Sequence, residues 1–330
     1  MEGSVLALIR LAIVVPCYNE EEVIENSIKV LHRYLENLIR RQKIAEDSFL
    51  LFVNDGSRDN TWPLIEKNYL IYNKVNGIHL SANVGHQHAL WAGLMTVKDS
   101  VDAAITIDAD LQDDITVMEE MLSQLEQGKQ IVYGVKKKRD ADPLAKRLSA
   151  EGFYKFMHLL GVKTVYNHAD FRLLGKKALD ALSEYKERNL FLRGMVPLLG
   201  FETGYVYEEI REREAGKSKY SLKKMIDFAI DGITSFSIRP LSLIGYLGGL
   251  ITFVCIIMMA QALIAHISGD TVEGWTSLIL SIWFIGGVQL ISLGIIGQYV
   301  GKTYIEVKER PRYYIEKSLM QKQDTKKEDA

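Results

Sequence analysis

The chain has 330 residues, with 40 Lys and Arg against 42 Asp and Glu for a net charge of -2. That length holds two domains and a substantial core, and the near-neutral balance gives no reason to expect nucleic acid. Its two cysteines, Cys17 at the end of one apolar run and Cys255 inside another, indicate neither a disulfide framework nor a zinc site.

The apolar start, Val5 to Val15, is broken by Arg10 and lacks a cleavage site, so no signal peptide is read and the N-terminal part is expected in the cytosol. Leu11 to Val15 is a short continuous apolar run, the pattern of a strand buried on both faces. It ends at Pro16-Cys17-Tyr18-Asn19-Glu20, where Asn19 can cap a helix carrying Val23, Ile24, Ile28, Leu31, Leu35 and Leu38 at helical spacing. A second strand, Phe49 to Val53, runs into Asn54-Asp55-Gly56-Ser57, and Asp59 or Asn60 can start the next helix. A third unit, Gly77 to Ala82, leads through Asn83-Val84-Gly85-His86 to a helix from about Gln87. His86 and His88 at that helix start read as polar surface residues. Strand–helix alternation at this spacing predicts a mostly parallel, doubly wound α/β sheet.

The fourth strand, Ala104 to Ile107, delivers Asp108-Ala109-Asp110-Leu111-Gln112-Asp113-Asp114. In such a sheet, ligands bind off the carboxyl ends of the strands. Two carboxylates two residues apart, with the amide oxygen of Gln112, suit Mg²⁺ or Mn²⁺, which bind through a few carboxylates and a substrate's phosphates. A solvated acidic turn has the same composition. Neither G-x-G-x-x-G nor a P-loop motif is present, so a nucleotide would be held by strand-end acids and a metal rather than by a glycine cradle.

Taken together and in order, Val15-Pro16-Cys17-Tyr18-Asn19-Glu20, Asn54-Asp55-Gly56-Ser57, Asn83-Val84-Gly85 and Asp108-Ala109-Asp110-Leu111-Gln112 resemble glycosyltransferase family 2. Within it they resemble the polyprenyl-phosphate glycosyltransferases, the dolichyl-phosphate mannose synthases and bacterial undecaprenyl-phosphate sugar transferases. The resemblance implies a GT-A (Rossmann-like) fold. It implies that Pro16, Tyr18, Glu20 and Asp55 surround the nucleoside, with Asp108 and Ala109 beside the nucleotide. Asp108, Asp110 and Gln112 then hold the metal against the diphosphate. Where many relatives continue Asp-Pro-Pro, this chain has Asp113-Asp114-Ile115-Thr116.

Beyond a fifth strand, Ile131 to Val135, comes the basic run Lys136 to Arg139 and then an amphipathic stretch from Pro143 to Leu160, either an interfacial helix or an ordinary surface helix. By the resemblance, Arg139, Arg147 and Lys219 meet the lipid phosphate. Asn167 to Leu174 matches the family's Asp-Phe-Arg-Leu segment, in which Asp170 faces the acceptor as a base or an orienting group. Arg213 to Tyr220, a glycine-containing basic loop, is a further match, and the resemblance implies that Arg213 and Lys219 balance diphosphate charge there; by composition alone it reads as a solvated charged turn. Asp170, Asp110 and Arg213 are the expected catalytic residues.

A second interfacial helix is expected over 219–240. Leu241 to Ile267 and Trp275 to Val300 are free of charged residues, and each is long enough to span a bilayer. Lys and Arg flank the outer ends while the link holds only Asp270 and Glu273, which predicts cytosolic ends and a short external loop at the cell membrane. Gly245–Gly249 and Gly297–Gly301 are spacings that allow a homo-oligomer.

The sequence thus predicts a catalytic domain over 1–218, an interfacial helix over 219–240, two spans over 241–301 and a charged tail over 302–330. The expected reaction is inverting transfer of a sugar from a nucleotide sugar, UDP-glucose first, to a polyprenyl phosphate. UDP-N-acetylglucosamine or GDP-mannose are alternative donors, and a non-catalytic lipid-binding membrane subunit is the alternative from another class.

Overall fold

A computed structural model describes residues 8–136, 168–208, 237, 239–267 and 274–320. The amphipathic stretch expected over 143–160 and all but Ser237, Arg239 and Pro240 of the one expected over 219–240 lie outside them, as do Arg139, Arg147, Arg213 and Lys219.

The apolar runs form strands, and the reason is burial on both faces. β1 (Leu11–Cys17), β2 (Phe49–Asn54) and β4 (Ala103–Thr106) are buried at every position, so an alternating pattern would have left half of each strand mismatched. With β3 (Val75–Leu80) they make a parallel core in the order β3-β2-β1-β4. Helices α1 (Ile24–Arg40), α2 (Thr61–Ile71) and α3 (His86–Val97) connect these strands. α1 buries Ile24, Ile28, Leu31, Leu35 and Leu38, one stripe at helical spacing.

The sheet then turns mixed. β6 (His168–Gly175) lies antiparallel between β4 and β5 (Ile131–Lys136), and β7 (Thr203–Glu208) closes that side parallel to β5. Short helices α4 (Met118–Glu126), α5 (Lys176–Ser183) and α6 (Leu192–Leu198) pack among them. On the far side an unforeseen strand, β8 (Ile315–Leu319), pairs antiparallel with β3, placing Gly77 opposite Leu319 and His79 opposite Lys317. The eight strands run β7-β5-β6-β4-β1-β2-β3-β8.

The chain divides into two compact units. The first contains the sheet and, among the described residues, Arg310 to Met320, part of the stretch expected as a charged tail. The described part of the second is made of α7 (Arg239–Ile267) and α8 (Trp275–Val307). Both helices are long and apolar enough to cross a membrane.

Candidate functional site

From β1 the chain winds out to β2 and β3 on one side and then crosses to β4 on the other, so the direction of winding reverses between β1 and β4. The loops leaving the carboxyl ends of those strands open a crevice at that switch point. Three of them interlock. Asn19, held at φ +53°, accepts from the Arg58 amide at 2.9 Å instead of capping α1, and its own amide donates to Ser57 Oγ at 3.0 Å. The Glu20 amide donates to Thr61 Oγ1 at 2.9 Å. Asp55 is buried, and its carboxylate accepts from the Val84 amide at 2.8 Å, the Gly85 amide at 3.0 Å and Asn83 Nδ2 at 3.1 Å. A carboxylate offers about four acceptor positions, so three are spent on the loop that starts α3 and one remains. Gly56, at φ +61°, lets that loop lie close: a Cβ there would stand 2.5 Å from the Ala82 carbonyl carbon.

Ile107 hydrogen-bonds back to the Val14 carbonyl at 3.1 Å, and the acid loop begins directly after it. Pro16 and Ala109 are buried, Ala109 accepting from Ser27 Oγ at 2.5 Å, whereas Tyr18 and Asp110 are exposed. Gln112 donates from Nε2 to Asp110 Oδ2 at 2.7 Å. Leu111 between them sits at φ +47°, a conformation that costs a residue other than glycine strain and gathers at functional loops. The Asp108 carboxyl is pushed up to about 6 by desolvation in the crevice and by the charges of Asp170, Asp113 and Asp110, with His86 opposing. Some 47% of its side chain still meets water, so desolvation is partial and the neighbouring carboxylates add to it.

Facing this loop is a second cluster, centred on Asp170. It is 3% exposed and is gripped by Arg172, itself 2% exposed, and by Arg193, whose Nε and terminal nitrogen lie 3.2 and 3.1 Å from its two oxygens. His86 donates from Nε2 to Asp170 at 3.1 Å, and the same nitrogen is 3.7 Å from Asp108 Oδ1. Burial alone would raise the Asp170 pKa; the His86 hydrogen bond and the two guanidinium charges outweigh it and hold the carboxyl well below the usual range. For His86, burial pulls the imidazole pKa down while Asp170 and Asp108 pull it up. With 43% of the ring side chain open to solvent, the carboxylates win.

A third group braces the acid loop from behind. Asp113 and Glu208 are both buried; Lys136 Nζ lies 2.9 Å from Asp113, and Glu208 accepts from the Asp114 amide at 2.8 Å. Asp114 then caps a 3₁₀ turn by accepting from the Thr116 amide at 3.1 Å.

The structure therefore joins Asp108 to Asp170 through His86 and Asp110 to Gln112 on the same acid loop, and it places Pro16 near the end of β1 with Tyr18, Glu20, Asp55 and Ala109 on the loops that follow the strands. Sequence reasoning passed over Gln87, Arg193 and the true place of His86, which joins Asp108 to Asp170 rather than standing alone on the surface. The available signal was position: His86 and Gln87 begin the helix that follows a strand end. Among the described residues no three His, Cys, Asp or Glu side chains form a ready metal cluster. An ion here would have to draw further oxygen ligands from a bound phosphate, as Mg²⁺ commonly does.

Residues 12–183 match the family model described as glycosyl transferase family 2. The chain is 49% identical over 313 residues to an uncharacterized glycosyltransferase, YkoT, of Bacillus subtilis (strain 168), covering 95% of this chain and 93% of that one. It is 36% identical over 311 residues to the SfII prophage-derived bactoprenol glucosyl transferase of Shigella flexneri, covering 94% and 98%. Among solved structures, a mannosyltransferase from Pyrobaculum calidifontis aligns with a TM-score of 0.47 at 13% identity, covering 92% of this chain and 86% of that one.

Proposed function

The chain belongs to glycosyl transferase family 2, and from that premise we propose that it transfers glucose from UDP-glucose to a polyprenyl phosphate at a membrane. It is a glycosyltransferase with the mixed α/β sheet of a GT-A enzyme. One observation carries the finer reading. His86 ties Asp108, on the acid loop, to Asp170, in the guanidinium cluster, so an anionic and a cationic half share one crevice. The anionic half suits a metal-bound diphosphate, and the cationic half suits the phosphate of an acceptor. The bactoprenol glucosyl transferases among its relatives support both the lipid and the sugar.

Asp108, Asp110 and Gln112 would hold Mg²⁺ or Mn²⁺; their oxygens suit a hard cation, and a cation would relieve the like-charge contribution that adds to desolvation in raising the Asp108 pKa. The ion would supply charge neutralisation for the departing diphosphate. Tyr18, Glu20 and the remaining acceptor position of Asp55 would bound the nucleoside. A phosphate oxygen of the acceptor attacks the anomeric carbon in line, the carbon–oxygen bond to UDP breaks, and the configuration inverts. That phosphate has a second pKa of about 6 and is already a nucleophile at neutral pH. Asp170, held as a carboxylate by two guanidinium groups, is a weak base, and its work is to orient Arg193 beside the acceptor.

The two apolar helices would anchor the chain in the bilayer that carries this acceptor. Arg239 opens the first, Lys302 stands near the end of the second with Lys308, Arg310 and Arg312 beyond it, and the link has Asp270 and Glu273 without Lys or Arg. That asymmetry supports a cytosolic face for the catalytic unit.

The test is radiolabel transfer by the full chain in detergent or nanodiscs, with undecaprenyl phosphate and a panel of UDP-glucose, UDP-N-acetylglucosamine and GDP-mannose. Label from UDP-glucose in the lipid extract is the expected result. Label from another donor alone would correct the sugar, and none from any donor would favour a non-catalytic lipid-binding subunit.

A further inference from the structure

On α3, Trp91 lies four residues after Gln87 and three after His88, so it neighbours both on the helix surface. The segment joining α5 to α6 lies against it. His88 Nε2 donates to the Arg188 carbonyl at 3.1 Å, and Gln87 accepts from the Leu192 amide at 2.9 Å while its Nε2 reaches Asp170 at 3.4 Å. The next residue along, Arg193, is the one that grips Asp170. The other end of the segment is held from an unexpected quarter. Arg312, lying between α8 and β8, donates to the Tyr185 carbonyl at 2.6 Å and the Glu187 carbonyl at 3.0 Å. Its guanidinium also stacks over the Trp91 ring at 4.1 Å. The stack fixes the plane of the fork, and the fork fixes both carbonyls. Just before β8, the Tyr314 carbonyl accepts from the Ser81 amide at 3.0 Å and holds the chain on the other side of Arg312.

We infer that Arg312 is a positioning residue of the transfer site: it locks the segment between α5 and α6 that delivers Arg193 to Asp170. The inference rests on the functional reading above, in which Arg193 stands on the acceptor side. The chain that has just left the second apolar helix thereby sets the geometry of the half of the crevice assigned to the membrane-borne substrate. A free tail would leave that segment pinned at one end only.

The experiment uses the full chain in nanodiscs, with UDP-glucose and undecaprenyl phosphate, and compares Arg312→Ala, Arg312→Lys and Lys317→Ala. Lys317 pairs with Glu66 at 3.3 Å on β8 and touches none of this machinery. Arg312→Ala is expected to raise the acceptor KM about tenfold, as the loss of charge-assisted hydrogen bonds does, with the UDP-glucose KM unchanged. Arg312→Lys recovers little, because a lysine keeps the charge but cannot fork or stack. Lys317→Ala behaves as wild type. Hydrogen exchange should quicken in the peptide covering 184–193 and stay slow over 315–319. An unchanged acceptor KM, or exchange that rises equally over 315–319, would show a staple for β8 and overturn the inference. If the wild-type chain makes no lipid-linked sugar, the functional reading itself fails and the inference with it.

Discussion

Arg193 meets Asp170 side-on, two nitrogens against two oxygens at 3.2 and 3.1 Å, while Arg172 holds the same carboxylate from within the core. Asp170→Asn should therefore act on fold and rate together. It leaves the Arg172 guanidinium buried against a neutral amide, a loss of about 3–5 kcal/mol for a broken buried pair. Arg193 loses its anchor, and misplacement of this kind costs about a hundredfold in rate. Thermal melting and kcat/KM measure the two effects; wild-type values for both would remove Asp170 from its central place.

Asp110 is exposed and its side chain is bonded to Gln112, so Asp110→Ala should leave melting unchanged. Transfer should fall below about 1% of wild type because the divalent ion loses a ligand. Calorimetric titration of UDP with and without Mn²⁺ isolates the cause: metal-dependent tightening is expected in the wild type and absent in the variant. Chelation should stop the wild-type reaction and added Mg²⁺ or Mn²⁺ restore it. Persistent activity in a chelator would sink the metal assignment.

Gly56→Ala places a Cβ 2.5 Å from the Ala82 carbonyl carbon and 2.6 Å from the Asn83 nitrogen, at a φ of +61°. Backbone cannot swing aside as a long side chain can, so the expected cost is about 1–3 kcal/mol. The Asp55 clamp on Val84 and Gly85 should loosen with it and the KM for the nucleotide sugar should rise. A melting point equal to wild type would contradict the close approach.

Glu208 gives a pH signature. Burial, reinforced by Asp113, pushes its carboxyl up to about 8 against an ordinary 4.5. The folded chain therefore keeps a proton that the unfolded chain releases, and stability should decline as pH rises from about 4.5 to about 8. Glu208→Gln keeps an acceptor for the Asp114 amide and carries no charge, so its melting temperature should be flatter across that window and higher than wild type at pH 8. Parallel pH–melting curves for the two proteins would refute the shift.

The parallel core was readable because β1, β2 and β4 bury both faces and so spell themselves as uninterrupted apolar runs. The acid loop was readable because carboxylates cluster where such a run stops. β8 was not: Ile315-Glu316-Lys317-Ser318-Leu319 pairs along one edge only, stays exposed over most of its length, and looks like the charged tail around it. Asn19 has the chemistry of a capping residue, yet a neighbouring loop takes its side-chain oxygen. His86, Gln87 and Arg193 carry no motif of their own and gain a role only where β6 and α6 come beside α3.

The eight-stranded order has a practical corollary. Cutting the chain at the limits of the family match, residues 12–183, would remove β7 from the flank of β5 and β8 from the flank of β3. Both borders of the sheet would then offer unsatisfied ladders to any passing copy, and such a fragment should precipitate or swap strands. Its failure to turn over substrate would report on stickiness, not on chemistry.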